Sequence, residues 1–332
     1  MRWWGFCILG PVFFGSIPIW AGNKGVDRNN NCTILLILSQ CVHNDSCDWY
    51  RPALILEKPA VTTWHLFNDR AALAAPRAVR EDRADGSFVL RHPEPLQPYA
   101  RCIGAWLEHW ATTTPEADFL AERDATGAWR KLSYCQVRAQ VGRIGQALLG
   151  LISPLTVPTT APTVVLSDNA IDHALLLLAS MHVGRPVCTI SSAYSLHGRA
   201  TGDYSKLHGM LDAMQPALIY AADAAVYAAP IRAWAGRLAN KVPVVFSQGA
   251  AGFDGALSFS DLLQTDETPA VQAAYHTVQP NDVAKYLLTS GSTGLPKAVV
   301  NTHRMLTANQ QQIAQVWPFL NRHRLVLLDW LP

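Results

Sequence analysis

The sequence predicts an α/β protein built on mostly parallel sheet, and three observations predict it. Between residues 164 and 247, short apolar runs of strand length alternate with helix-patterned segments, the mark of βαβ units. After a Ser133/Gln136 capping box, Val137, Val141, Ile144 and Leu148 recur at helical spacing. Two strand-like runs, 284–288 and 298–300, flank a nine-residue segment rich in glycine and hydroxyl side chains.

Taken in order, residues 68–100 are rich in Ala, Arg and Pro and read as an irregular lead-in. A short helix over 105–114 ends at Pro115, and 128–132 reads as a strand. The capping box then opens the amphipathic helix, and the Pro- and Thr-rich stretch 153–163 is a loop. Strand 164–167 leads to Asp168 or Asn169 as the cap of a helix running to Val183, with Gly184 as its stop and Pro186 beyond. Strand 187–190, helix 206–214, strand 217–221, an Ala-rich helix and strand 242–247 continue the alternation. Residues 249–280 read as mixed loop. Thr302 is placed to cap a helix to about Val316, and 325–328 begins another strand.

Some polar residues lie inside these elements. Asp172 and His173 can form a catalytic pair, but a solvated helix face is the expected reading. His182 falls in the last helical turn, where a cation suits the helix dipole. His303 sits at a helix start.

The chain has 332 residues, enough for two domains and a large core. It is 49% hydrophobic and 16% charged with a net charge of +2, which describes a globular protein without a nucleic-acid footprint. Composition shifts near residue 66: residues 1–66 hold 3 Ala and residues 67–332 hold 42, so 1–66 are expected to form a separate segment, dispensable for activity. That segment has an uncharged run from Trp3 to Asn23, long enough for an anchor or a signal, with Ala21 before a cleavage point. Pro11, Pro18 and several glycines oppose both, and the alternative is that 1–66 are not native to the protein. Cys32, Cys41, His43 and Cys47 fit no common zinc spacing and are expected to be incidental, so no metal site is expected from them.

Residues 289–297 read Thr-Ser-Gly-Ser-Thr-Gly-Leu-Pro-Lys. Glycines let successive N–H groups converge on one point, the hydroxyls add donors, and Lys297 supplies a mobile positive charge. A Walker A loop needs Gly before the Lys and Ser or Thr after it, but Pro296 and Ala298 stand there. A nucleophile elbow needs Gly two residues before Ser292, but Ser290 stands there.

The segment resembles the phosphate loop of AMP-forming acyl-CoA synthetases and their adenylating relatives at every position, with Ala298 where Gly is commonest. The flanks Asn301-Thr302-His303-Arg304-Met305-Leu306 and Trp317-Pro318-Phe319-Leu320, with Val164-Val165-Leu166-Ser167-Asp168-Asn169 upstream, look like the feruloyl-CoA synthetase branch. The resemblance covers about Phe67 to Pro332.

It implies the N-terminal part of the adenylate-forming enzyme fold, an α/β arrangement of stacked, mostly parallel sheets with flanking helices. It also implies a partial AMP-binding domain over 67–332, in which Thr289, Ser290, Gly291, Ser292, Thr293, Gly294 and Lys297 hold the β- and γ-phosphates of ATP. His303 would then lie near the active site. ATP, Mg2+ and CoA are the implied cofactors and an aromatic hydroxycinnamate such as ferulate the implied acid. In the family, the Mg-binding Glu, most of the CoA tunnel and the C-terminal domain follow this stretch, so the chain is expected to be truncated. The competing expectation is a non-catalytic remnant that binds a phosphate-bearing ligand. The expected location is cytoplasmic, with a membrane partner only if residues 3–23 are a genuine anchor.

Overall fold

The computed structural model describes residues 35–38, 74–152, 157–236, 241–289, 296–321 and 326–329. The uncharged run 3–23 and Cys7, Cys32, Cys41, His43 and Cys47 lie outside them. From residues 1–66 the described residues are one strand, β1 (Leu35–Leu38). The lead-in holds a hairpin, β2 (Val79–Asp82) and β3 (Phe88–Arg91), rather than irregular chain alone. Then come α1 (Ile103–Thr113), β4 (Asp118–Arg123), β5 (Trp129–Ser133) and α2 (Tyr134–Leu151).

The alternating half follows with β6 (Thr163–Leu166), α3 (Ile171–His182), β7 (Val187–Thr189), α4 (Ser192–Thr201) and α5 (Ser205–Met214). Next are β8 (Leu218–Asp223), α6 (Ala224–Ala235) and β9 (Val244–Gln248). The expected mixed loop holds β10 (Leu257–Ser258), α7 (Phe259–Leu263) and α8 (Pro269–Thr277). The last described elements are β11 (Val283–Thr289), β12 (Lys297–Thr302), α9 (His303–Val316) and β13 (Val326–Asp329).

The larger sheet has the order β10-β9-β8-β6-β7-β11-β12. It is parallel from β10 to β11, and β12 alone runs antiparallel to its neighbour. Its side chains divide by the two-residue period of a strand. Val165, Leu218, Tyr220 and Val245 enter one core, whereas Val164, Leu166, Ile219, Ala221, Val244 and Phe246 enter another on the opposite face. Both faces are therefore covered, which is why these strands read as unbroken apolar runs. A second sheet, β13-β1-β4-β5, joins the first core through Phe119, Leu120, Leu132 and Leu327. Helix α3 contacts both β4 and β7, so it lies between the two sheets.

That position corrects the expectation for Asp172 and His173. Every residue of α3 except Asp172 is buried, and His173 has no exposed surface. A helix enclosed between two sheets cannot present a solvated face. Its start differs too. Ala170 is the N-cap and makes no side-chain cap, and Glu122 Oε2 from β4 accepts the Ile171 N–H at 2.7 Å instead. A carboxylate at the positive end of the helix satisfies the same orphan donors that Asp168 or Asn169 would have served. The stop is as expected: Val183 is the C-cap and Gly184 follows at φ +76°, in the left-handed region that favours glycine.

Helix α2 begins with the expected capping box. Ser133 Oγ accepts from Gln136 N at 3.3 Å, and the Gln136 side chain accepts from Ser133 N at 2.8 Å. Val137, Val141, Ile144 and Leu148 form its buried face, each contributing roughly 1.5–3 kcal/mol through removal from water.

Candidate functional site

Strand β11 pairs in parallel with β7, through Lys285↔Val187 and Tyr286↔Cys188. Its C-terminal end therefore lies on the carboxyl side of the sheet, where open α/β sheets hold their ligands. Tyr286 and Leu288 pack on the second core, and the Tyr286 hydroxyl donates to Thr160 O at 2.9 Å. These contacts fix the strand up to the loop. The loop's two ends are register partners: Thr289 faces Lys297, and Thr289 Oγ1 donates to Lys297 O at 3.2 Å. Thr289 and Lys297 are thus brought together at the mouth of a hairpin. Ser290, Gly291, Ser292, Thr293 and Gly294 lie outside the described residues. Lys297 is exposed, and none of the ion pairs among the described residues uses it.

The alternation along the hairpin places Thr289, Leu287 and Lys285 on one face with Lys297, Val299 and Asn301 of β12. Lys285 is 5% exposed, an unusual place for a lysine and one that the sequence reading absorbed into an apolar run.

Beyond β12, Thr302 Oγ1 accepts from Met305 N at 3.2 Å and caps α9 as expected. His303 is buried. Its N–H donates to Asp282 O at 3.1 Å, and its Nδ1 accepts from Ile103 N at 3.3 Å. Burial lowers its pKa to about 4, so the ring is neutral at ordinary pH. These contacts give His303 a structural place, tying the start of α9 to the start of α1.

Other polar groups gather at the carboxyl ends of the parallel strands. Ser192, after β7, donates to Asp168 Oδ1, after β6, at 2.6 Å. His173 Nδ1 lies 2.8 Å from Ser167 Oγ, and burial lowers the pKa of this imidazole to about 4. Arg130 reaches Glu122 at 3.0 Å and Asp172 at 3.6 Å, and Ser247 Oγ donates to Asp172 Oδ2 at 2.6 Å. Burial raises the pKa of Glu122, while the Ile171 N–H and Arg130 oppose the rise. Sequence reasoning missed this network because its members lie on β4, β5, α3 and β9. His182 does fall in the last turn of α3, but it is enclosed: it stacks on Tyr275 at 4.6 Å and lies 3.3 Å from Glu108 Oε1.

Residues 107–332 match the AMP-binding enzyme family. The chain belongs to that family. That family is one of adenylate-forming, acid-activating ligases, and the seven-stranded, mostly parallel sheet with its helices is the α/β architecture expected of it. The chain is 31% identical over 146 residues to 4-coumarate–CoA ligase 3 of Oryza sativa subsp. japonica, a match spanning 44% of this chain and 23% of that protein. It is 25% identical over 241 residues to the long-chain-fatty-acid–AMP ligase FadD32 of Mycolicibacterium smegmatis, spanning 71% of this chain and 34% of the relative. A solved structure from work on fatty acyl-adenylate ligases of E. coli and L. pneumophila aligns with TM-score 0.49 at 20% identity, covering 65% of this chain and 35% of that one. The chain spans well under half the length of these relatives. Among the described residues, no helix is long and apolar enough to cross a membrane.

Proposed function

We propose that this chain carries the triphosphate site of an ATP-dependent ligase that activates an aromatic hydroxycinnamate such as ferulate. A carboxylate oxygen attacks the α-phosphorus of ATP, the bond to the bridging oxygen breaks, and acyl-AMP and pyrophosphate form. The thiol of CoA then attacks the acyl carbon, AMP leaves with the bonding electrons, and a thioester results. Such transfers depend on positioning and on charge stabilisation.

The supporting observation is the loop whose ends, Thr289 and Lys297, face each other at the carboxyl edge of the parallel sheet. Ser290, Ser292 and Thr293, with the backbone at Gly291 and Gly294, donate to the β- and γ-phosphate oxygens, and Thr289 joins them by turning its hydroxyl away from Lys297 O. Lys297 offsets the charge that gathers on the departing pyrophosphate. Adenine, ribose and acid are held by groups outside these roles. Similarity to a 4-coumarate–CoA ligase and the flanking runs support the hydroxycinnamate class and CoA as the acceptor. For Mg2+, the described residues gather no group of three or more His, Cys, Asp or Glu side chains. A Mg2+ ion bound with ATP would take most of its ligands from phosphate and water and need only one or two carboxylates from the protein.

The test is calorimetric titration of the chain with ATP and with pyrophosphate, followed by ATP–pyrophosphate exchange with ferulate, 4-coumarate and a long-chain fatty acid. Binding of both phosphate ligands and exchange stimulated most by a hydroxycinnamate are expected. Failure to bind either ligand would remove the triphosphate site. Exchange driven only by the fatty acid would remove the hydroxycinnamate assignment, and binding without exchange would leave a phosphate-binding remnant.

A further inference from the structure

The hairpin that carries Thr289 and Lys297 is supported from the rest of the sheet only at its root. Strand β11 pairs with β7 through Lys285 and Tyr286, whereas its pairing with β12 runs on to Thr289. Past Tyr286, among the described residues, this side of the sheet is reduced to two strands: Leu287, Leu288 and Thr289 face Val299, Ala298 and Lys297. Three residues at about 3.3 Å each make an arm of about 10 Å. Thr289, Lys297, Ala298 and Val299 are exposed, and Leu287 and Leu288 are half-buried. A two-stranded ribbon is marginal in water, so the direction of this arm depends on what holds its root.

Tyr286 is the last residue of β11 with a ladder partner on β7, and its side chain supplies the hold. The ring packs on the second core, as Leu288 does. The hydroxyl donates to the Thr160 carbonyl oxygen at 2.9 Å. That carbonyl belongs to a braced turn, residues 158–161, closed by Ala161 N–H donating to Pro158 O at 3.0 Å. The guanidinium of Arg185, buried just beyond the end of α3, donates to the same Pro158 oxygen at 2.7 Å. The bond from Thr289 Oγ1 to Lys297 O is of another kind: it joins the two strands of the arm to each other and not to the sheet.

We propose that Tyr286 is a positioning residue for the polyphosphate: through Thr160 its hydroxyl sets the direction of the arm, and so the place of Thr289 and Lys297, a role that rests on the triphosphate reading of this hairpin. A bond made equally in the free and the bound chain cancels in the affinity. The Tyr286 hydroxyl acts on affinity because without it the free arm populates directions in which Lys297 does not meet the anion, and binding weakens by the fraction that remains competent. One hydrogen bond bounds that loss at about 2- to 12-fold. The hydroxyl of Tyr220 is its counterpart away from the arm. Tyr220 is buried on β8, three strands from β11, and its hydroxyl lies 2.8 Å from Ser247 Oγ on β9. Its loss softens the same sheet without releasing the arm.

Calorimetric titration of the full chain with pyrophosphate, beside thermal melts and amide hydrogen exchange, tests this. Tyr286→Phe keeps the ring and removes the hydroxyl, and its pyrophosphate affinity is expected to fall about 5-fold. In the ligand-free variant, exchange is expected to quicken at residues 287–289 and 297–299 and to stay unchanged in β6 and β8. Tyr220→Phe is expected to lower the melting midpoint and leave the affinity as in wild type. Thr160→Ala keeps the accepting carbonyl and is expected to bind as wild type does. Wild-type affinity in Tyr286→Phe, equal losses of affinity in Tyr286→Phe and Tyr220→Phe, or unchanged exchange in the arm would each overturn the role of Tyr286 while leaving the triphosphate reading in place. A wild type that does not bind pyrophosphate would instead remove the triphosphate reading, and this role with it.

Discussion

Replacing Lys297 with Ala separates a phosphate-binding lysine from a surface lysine. The residue is exposed at the hairpin mouth and makes none of the ion pairs among the described residues, so its loss should shift unfolding by less than about 0.5 kcal/mol. Its effect on a bound triphosphate is larger. An ammonium about 4 Å from a phosphate charge, at an effective dielectric constant near 20, interacts by about 4 kcal/mol before solvent screening. Exposure reduces this to the range of a charged hydrogen bond, about 1.5–3 kcal/mol, or about 10- to 150-fold in affinity. In the adenylation step, where charge grows on pyrophosphate, loss of one such donor costs on the order of 100-fold in rate. Lys297→Arg should recover part of each loss, because a planar fork does not fill the place of a compact ammonium. Calorimetric titration with ATP measures the first effect, and pyrophosphate release in the complete ligase measures the second. Wild-type affinity and rate in both variants would refute the reasoning.

The buried histidines predict acid sensitivity: His173 and His303 have pKa values lowered from 6.5 to about 4, so their contribution is full above pH 6.5 and lost as pH falls towards 4. The loss is of order 3 kcal/mol for each, partly offset by Glu122, whose raised pKa favours the folded state as pH falls; urea midpoints from pH 7.5 to 4.5 would show it. Glu122→Ala removes the cap of α3 and a partner of Arg130 and should cost about 2–4 kcal/mol by chemical denaturation. Trp234→Ala should cost about 3–5 kcal/mol, because the ring is 2% exposed and its N–H donates to Asp212 at 2.7 Å. Deleting residues 1–66 takes away β1 and should lower the melting midpoint while leaving ATP affinity within a few fold, because β11 and β12 belong to the other sheet.

What the sequence made legible was periodicity and capping. The βαβ alternation from β6 to β9, the capping box of α2 and the Thr302 cap all rest on residues within a few positions of one another. The missed elements were short or lacked a local pattern. Helix α8 announces itself only through Thr268 and Pro269 at its start, and β4 carries Asp118, Glu122 and Arg123 in six residues. The start of α3 was misread because its cap comes from Glu122, a residue on another strand. At the candidate site, the residue types of 289–297 and their order were legible. The facing of Thr289 and Lys297 needed the hairpin register, and the place of His303 needed Ile103 and Asp282, which no local pattern links to it.

The four-stranded sheet also constrains the order in which the molecule can form. Strand β1 pairs with β4, and on its other side Leu35 pairs with Val326, almost the whole length of the chain away. Strands β6 to β9 are near neighbours in sequence and can assemble while the chain emerges from the ribosome. The β1–β13 ladder must wait until the last of its strands has been made. Such distant pairings are slow, and until they close, the free edge of β1 is open to capture by other chains. Slow synthesis, low temperature or a chaperone that holds the early strands should therefore raise the yield of native protein more than any change near residues 289–297.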